Sequence, residues 1–204
     1  MNQVLYGEKT GLSRLLRNKF VTLVPLAKDH RQTLEEAGSD PSIWALQPFN
    51  IAEGFDAYFD WLLAEQASGK WVPFVVINPD GKVVGQTCYL DIRYEDHGLE
   101  IGGTWYSPAF QGTNINTAAK LLLLDNAFAT GMVRVQLKTD CRNIKSQAAI
   151  KKLGATFEGV FRKHKPRPDG TWRDSVFYSI IDMEWPLLRR QILERLYEAD
   201  SNVQ

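Results

Sequence analysis

The residues best able to do chemistry sit where a strand gives way to a helix. Trp105-Tyr106-Ser107-Pro108-Ala109-Phe110 runs into Gln111-Gly112-Thr113-Asn114-Ile115-Asn116, and an apolar helical pattern follows. At such a junction the first N–H groups of the helix have no intrahelical acceptor and point outward. The helix dipole adds about half a positive charge at the same end. Together they can hold a phosphate without any basic side chain. An ordinary capped helix start is the alternative reading of the same residues. A second candidate is the basic run Arg162, Lys163, His164, Lys165 and Arg167. It reads either as a solvated loop or as a contact for an acidic ligand. His164 is the only histidine near any of these motifs. Cys88 and Cys141 do not form a spaced cluster, so both are expected to be reduced thiols in a reducing compartment.

These residues must be positioned by a mixed set of elements. Phe20–Leu26 reads as a first strand, with Pro25 marking an end or an edge. Lys28–Ala37 reads as a polar helix stopped by Gly38, and Ile51–Ala67 as a helix with Phe55, Tyr58, Phe59, Leu62 and Leu63 at core spacing. Trp71–Ile77 and Lys82–Arg93 flank the turn Asn78-Pro79-Asp80-Gly81 and form a hairpin. Leu99–Tyr106 is a third strand of this group. A helix over Asn116–Thr130 ends at Gly131, a strand covers Val133–Thr139, and a helix covers Asn143–Leu153 before Gly154. Phe157–Lys163 and Trp172–Met183 form a last hairpin around Asp169-Gly170, and Pro186 can open a final helix, Leu187–Tyr197.

Strands and helices are mixed here without regular alternation. The expected class is therefore α+β, a mixed, mostly antiparallel sheet flanked by helices, rather than a doubly wound nucleotide fold. Residues 1–18 read as an N-terminal arm that docks on the body or on a partner, and 19–204 as a single domain. At 204 residues the chain is long enough to bury a core without a metal or disulfide. Its 24 basic and 24 acidic residues cancel, so no global field exists to hold a polyanion, and no nucleic-acid partner is expected. The opening MNQVLYGEKTGLSRLL lacks a long apolar core and a cleavage site, so no secretory signal is expected. No apolar run reaches the length of a membrane span. A cytoplasmic protein without a membrane partner is the expectation.

The segment Gln111–Asn116 resembles the acyl-CoA-binding motif of the Gcn5-related N-acetyltransferases. That loop reads Gln or Arg, two residues, Gly, one residue, then Gly or Ala, which places Asn114 and Asn116 where the family has small residues. Further matches are Glu100-Ile101-Gly102, Asn143-Ile144-Lys145-Ser146, Lys152-Leu153-Gly154-Ala155, Glu158-Gly159-Val160, and Arg173-Asp174-Ser175-Val176 with Tyr178-Ser179. Each is weak alone, but their order and spacing over residues 20–185 carry the resemblance. It is nearest the Rim-type branch, which contains the ribosomal-protein N-terminal acetyltransferases.

The resemblance implies the acyl-CoA N-acyltransferase fold, acetyl-CoA as cosubstrate, no metal, and direct acetyl transfer to a primary amine on a protein N-terminus or a small molecule. A homodimer is a further implication. So is the cofactor set Trp105, Tyr106, Gln111, Gly112, Thr113, Asn114, Ile115, Asn116 and Asn143, with backbone N–H of Trp105–Tyr106 polarising the thioester. Glu100 is the candidate general base, against the alternative of an exposed strand carboxylate. Asn143 is a pantetheine contact, a helix cap bonding the N–H of Ser146, or both. Ser146 protonates the departing thiolate or merely permits close packing. Ile150 stands where many members carry a tyrosine acid. Within the basic run, the acidic ligand becomes an acidic acceptor or the 3′-phosphate of CoA. Trp44, Phe49, Trp71 and Trp172 line the acceptor pocket or belong to the core. The rival reading is a CoA-binding sensor or scaffold without turnover.

Overall fold

A computed structural model of the chain describes residues 11–47, 54–167 and 169–201. Among the described residues eight strands form one sheet, numbered along the chain: β1 Leu16–Arg17, β2 Thr22–Pro25, β3 Trp71–Ile77, β4 Val83–Arg93, β5 Gly98–Tyr106, β6 Arg134–Asp140, β7 Thr156–Pro166 and β8 Trp172–Ile181. Five α-helices among the described residues accompany it: α1 Arg31–Ala37, α2 Phe55–Ala67, α3 Asn114–Ala129, α4 Ile144–Lys152 and α5 Trp185–Ser201. The strand order is β1-β2-β3-β4-β5-β6-β8-β7. Every pairing is antiparallel except β5 with β6. Phe49 and the expected helix start at Ile51 lie outside the described residues.

Alternation along the strands sends side chains to two separate cores. Leu99, Ile101, Val135, Leu137, Val176 and Tyr178 pack with α3 and α5 on one face. Val75, Cys88 and Trp105 pack with α1 and α2 on the other. Fully burying one such Leu or Phe stabilises the fold by about 1.5–3 kcal/mol, so each face fixes strand register firmly. Residues 11–18 join the first core: Leu12 and Leu16 are buried, β1 pairs with β2, and Arg14 Nε donates to Asn126 Oδ1 at 2.7 Å. No helix among the described residues is long and apolar enough to cross a membrane.

One irregularity shapes the rest. Strand β5 pairs with β6 only over Gly98↔Arg134, Leu99↔Val135 and Glu100↔Gln136. Beyond Glu100, β5 continues along β4 while β6 continues along β8 to Asp140. The sheet forks there and leaves two strand edges facing each other. On its other side β5 carries a bulge against β4, between the pairs Gln86↔Trp105 and Cys88↔Gly102. Gly103 supplies the left-handed backbone (φ 56°) that the bulge needs. A Cβ there would stand 3.0 Å from the Trp71 ring and 3.1 Å from Cys88 Sγ.

Candidate active site

The helix α3 starts two residues earlier than its apolar pattern predicts. Thr113 is its N-cap and accepts from the N–H of Ile115 at 3.4 Å, while its hydroxyl donates to Phe110 O at 2.8 Å. Asn114 and Asn116 are therefore first-turn helical residues and not loop residues needing the conformational freedom of glycine. The left-handed position of the loop is Gly112 (φ 75°), and a Cβ built on it meets nothing within 4 Å. Gln111 braces the turn by donating Nε2 to Tyr106 O at 3.0 Å. Among the described residues the N–H groups of Gly112 and Thr113 donate to no acceptor. Exposed backbone donors, a helix N-terminus and open space over Gly112 fit a pyrophosphate. Gln111, Gly112, Thr113, Asn114, Ile115 and Asn116 would hold it. Ile115 could do so through its backbone alone, since its side chain is core.

Glu100 occupies the last rung before the fork. It is 2% exposed, so it is not the solvated strand carboxylate of the alternative reading. Its Oε2 accepts from Lys138 Nζ at 2.5 Å and from Gln136 Nε2 at 3.0 Å, both on β6. Its Oε1 makes no hydrogen bond among the described residues and lies beside Gly102, 3.0 Å from where a Cβ would be. One oxygen is thus anchored and the other is available on the β5 side of the fork. Such a carboxylate can accept a proton from a reactant placed there, directly or through water.

Asn143 caps α4 beyond the end of β6. Its Oδ1 accepts the N–H of Ser146 at 3.0 Å, as the capping alternative predicts, and its amide donors remain for a second partner. Ser146 is half-buried on the first turn of that helix. Ile150 is core. Trp105 is buried in the second core, donating its indole N–H to Tyr58 Oη at 3.2 Å and stacking obliquely on Trp44. Only its backbone is available to a ligand. Tyr106 is likewise buried, and its hydroxyl has no hydrogen-bond partner among the described residues. Burial pushes its pKa above the usual tyrosine value. Trp44 is core, Trp71 is part-buried against Trp61, and Trp172 is exposed.

Three groups escape the sequence reading. Lys120 of α3 is 6% exposed beneath the bulge, donating to Thr104 Oγ1 at 2.6 Å and Thr87 Oγ1 at 3.1 Å. Desolvation lowers its pKa to about 7, against the opposing influence of Cys88 and Glu100. The same burial pushes the Cys88 thiol up to about 12, so it is a packed thiol and no nucleophile. Arg173 of β8 is buried, within electrostatic reach of Asp140 and Glu100. Finally, the uncovered face of β6, β8 and β7 forms a cleft of about 310 Å³ lined by Asp91, Arg134, Gln136, Lys138, Glu158 and His164, together with Gly159, Phe161 and Phe177. Gln136 and Lys138, the two partners of Glu100, line this cleft. The available signal for Lys120 was its spacing, four residues before Leu124 on the apolar stripe.

The chain is also similar to known proteins in sequence and in fold. Residues 21–156 match the model of the acetyltransferase (GNAT) domain. An uncharacterized N-acetyltransferase of Bacillus subtilis (strain 168), YnaD, is 26% identical over 112 residues, which are 54% of this chain and 64% of that protein. The aligned stretch thus spans less than two thirds of that relative. A crystal structure of a putative acetyltransferase from T. thermophilus is 33% identical, with a TM-score of 0.81 over 90% of this chain and 97% of that one. RimJ of Mycobacterium smegmatis in complex with CoA-disulfide is 23% identical and shares the fold, with a TM-score of 0.75 over 89% of this chain and 92% of that one. The chain carries a GNAT acetyltransferase domain and belongs to the GNAT acetyltransferase family.

Proposed function

We propose that the chain transfers an acetyl group from acetyl-CoA directly to a primary amine, on a protein N-terminus or a small molecule, in the cytoplasm. The observation that carries this reading is the fork: β5 and β6 separate at a buried carboxylate, beside a helix start whose backbone donors are open. The RimJ neighbour, which shares the fold, is in complex with CoA-disulfide, which supports a CoA ligand.

The chemistry asks little of the protein beyond placement. An α-amine with a pKa near 8 is partly neutral at pH 7, and a lysine near 10.4 is much less so. Glu100 Oε1 takes the proton that the amine loses as it attacks. A thiol near 8.5 leaves tolerably well, so a hydrogen bond from Ser146 would assist without being indispensable. Holding amine and thioester together in the fork replaces a bimolecular encounter and supplies the larger part of the rate.

The test is thiol release from acetyl-CoA with a panel of primary amines and peptides, with products identified by mass spectrometry. Turnover with at least one amine is expected. Tight CoA binding without turnover on any amine would identify a sensor or scaffold instead. Given turnover, Glu100→Gln is expected to lower kcat/KM and to remove the acidic limb of its pH profile. An unchanged profile would reject Glu100 as the base.

A further inference from the structure

The cations around the cleft and the fork outnumber the ion pairs that the carboxylates there make. Glu158 takes both guanidinium arms of Arg134, Asp91 pairs with Arg93, and Glu100 pairs with Lys138. Asp140 is held by Arg167 at 2.7 Å. Lys165 and Arg173 are left over, with no ion pair among the described residues. They are cross-strand partners on β7 and β8, so their side chains leave the same face of the sheet. Like charges at such a position repel and destabilise the pairing.

Arg173 is the more telling of the two. It is 7% exposed, its Nε makes no hydrogen bond among the described residues, and it shares a strand face with Phe177 of the cleft floor. A buried guanidinium left unpaired costs several kcal/mol in general, so a native site normally provides it a partner. His164, which lines the cleft and bonds Ser175 at 3.0 Å, does not supply one. Desolvation and the neighbouring cations Lys138, Lys165 and Arg173 lower its pKa, which favours the neutral ring.

We propose that the acceptor amine carries an oxyanion, a carboxylate or a phosphate, which docks against Arg173 and Lys165 while its amine reaches the fork at Glu100. This rests on the acetyltransferase reading and names the class of amine it serves. The planar guanidinium matches a two-oxygen ligand, and an anion between two like charges relieves their repulsion. Lys138 neutralises Glu100, so the carboxylate at the fork does not repel the incoming anion.

The experiment uses matched amines that differ only in one group: carboxylate, phosphonate, or neutral carboxamide. Acetylation by the full chain is measured for each, and binding of each is measured by calorimetry in the presence of CoA. The expected result is at least a tenfold higher kcat/KM and affinity for an anionic member than for its amide. Arg173→Gln should remove most of that preference, and Lys165→Gln part of it, with acetyl-CoA affinity unchanged in both. Lys165 is exposed, so its variant remains informative if Arg173→Gln fails to fold. Equal kcat/KM for acid and amide would overturn the proposal while leaving the acetyltransferase reading intact. With no turnover on any amine, the acetyltransferase reading falls, and equal binding of acid and amide then overturns the anion site as well. A loss of affinity for CoA, absent with 3′-dephospho-CoA, would assign the two cations to the cosubstrate's phosphate and overturn the proposal too.

Discussion

Replacing Lys120 with methionine should stabilise the protein at neutral pH and destabilise it at alkaline pH. The amine is buried under the β5 bulge, and desolvation brings its pKa from the ordinary 10.5 to about 7. The sign follows from proton counts. Between about pH 7 and 10.5 the unfolded chain holds this proton and the folded chain does not, so raising the pH favours folding. The cost is complete below the folded pKa and vanishes above the unfolded one. At about 1.4 kcal/mol per pH unit, the gap amounts to about 5 kcal/mol at acid pH and about 4 kcal/mol at pH 7. Methionine matches the stem of lysine and removes this term.

The substitution also removes two hydrogen bonds, to Thr104 and Thr87, worth about 1 kcal/mol each. The two hydroxyls stay within 2.8 Å of each other and satisfy one another, so no further orphan is created. The net expectation is a gain of about 2 kcal/mol at pH 7. At pH 10 the charge term has fallen below about 1 kcal/mol, and the variant should be less stable by about the same amount. Urea unfolding of both proteins from pH 7 to 10 measures this. Comparing the two cancels the buried acids Tyr58 and Tyr89, whose raised pKa values act with the opposite sign. A difference in stability that stays constant across that range would refute a deprotonating lysine. A variant less stable at pH 7 would show that the hydrogen bonds outweigh the charge.

Other perturbations separate structure from function at the fork. Asn143→Ala removes the cap on Ser146 N–H and should cost about 1 kcal/mol in chemical denaturation. It should weaken acetyl-CoA binding further in calorimetry, and an unchanged affinity would leave the cap as its whole role. Gly103→Ala and Gly112→Ala both place a side chain in the left-handed region, at about 1–2 kcal/mol each. Gly103→Ala also crowds Trp71 and Cys88, so it should be the less stable of the two. Gly112→Ala should instead raise KM for acetyl-CoA, and equal KM values would place the phosphates elsewhere. Burial opposes ionisation of Asp140, but hydrogen bonds from Arg167 and the Arg142 N–H hold its pKa at about 2. Its stabilising contribution, of order 1–2 kcal/mol, is present above about pH 4 and lost as the pH falls toward 2. Asp140→Asn should be less stable at pH 6 and converge with the parent near pH 2 in thermal melts.

The parts that local pattern controls were legible in the sequence. Trp71–Ile77 has the observed bounds, because β-branched and aromatic residues end there at a turn. The Asn143 cap was readable down to its Ser146 acceptance, since capping is decided within three residues. The start of α3 was not, because Asn114 and Asn116 resemble loop residues until Thr113 is seen to cap them. The buried state of Glu100 was hidden for a different reason. It depends on Lys138 and Gln136, nearly forty residues away, and parallel pairing across a crossover leaves no local trace.

Lys120 and Glu100 together suggest why the fork holds groups that a stability-driven core would exclude. Each is a buried titratable side chain, and each lies against the segment of β5 between the last parallel rung and the helix start. Lys120 fixes Thr104 from below, and Lys138 fixes Glu100 from across the fork. If the bulge needed only packing, a methyl-bearing pair at Thr87 and Thr104 over an apolar α3 would serve at lower cost. The polar arrangement instead pins a short stretch of backbone on both sides while leaving Oε1 of Glu100 free. Positioning of that stretch should therefore be the property Lys120→Met loses as it gains stability. A lower kcat with unchanged KM for acetyl-CoA, in a variant that unfolds at higher urea at pH 7, would be its signature. Full activity in that more stable variant would show that the buried lysine does nothing for catalysis.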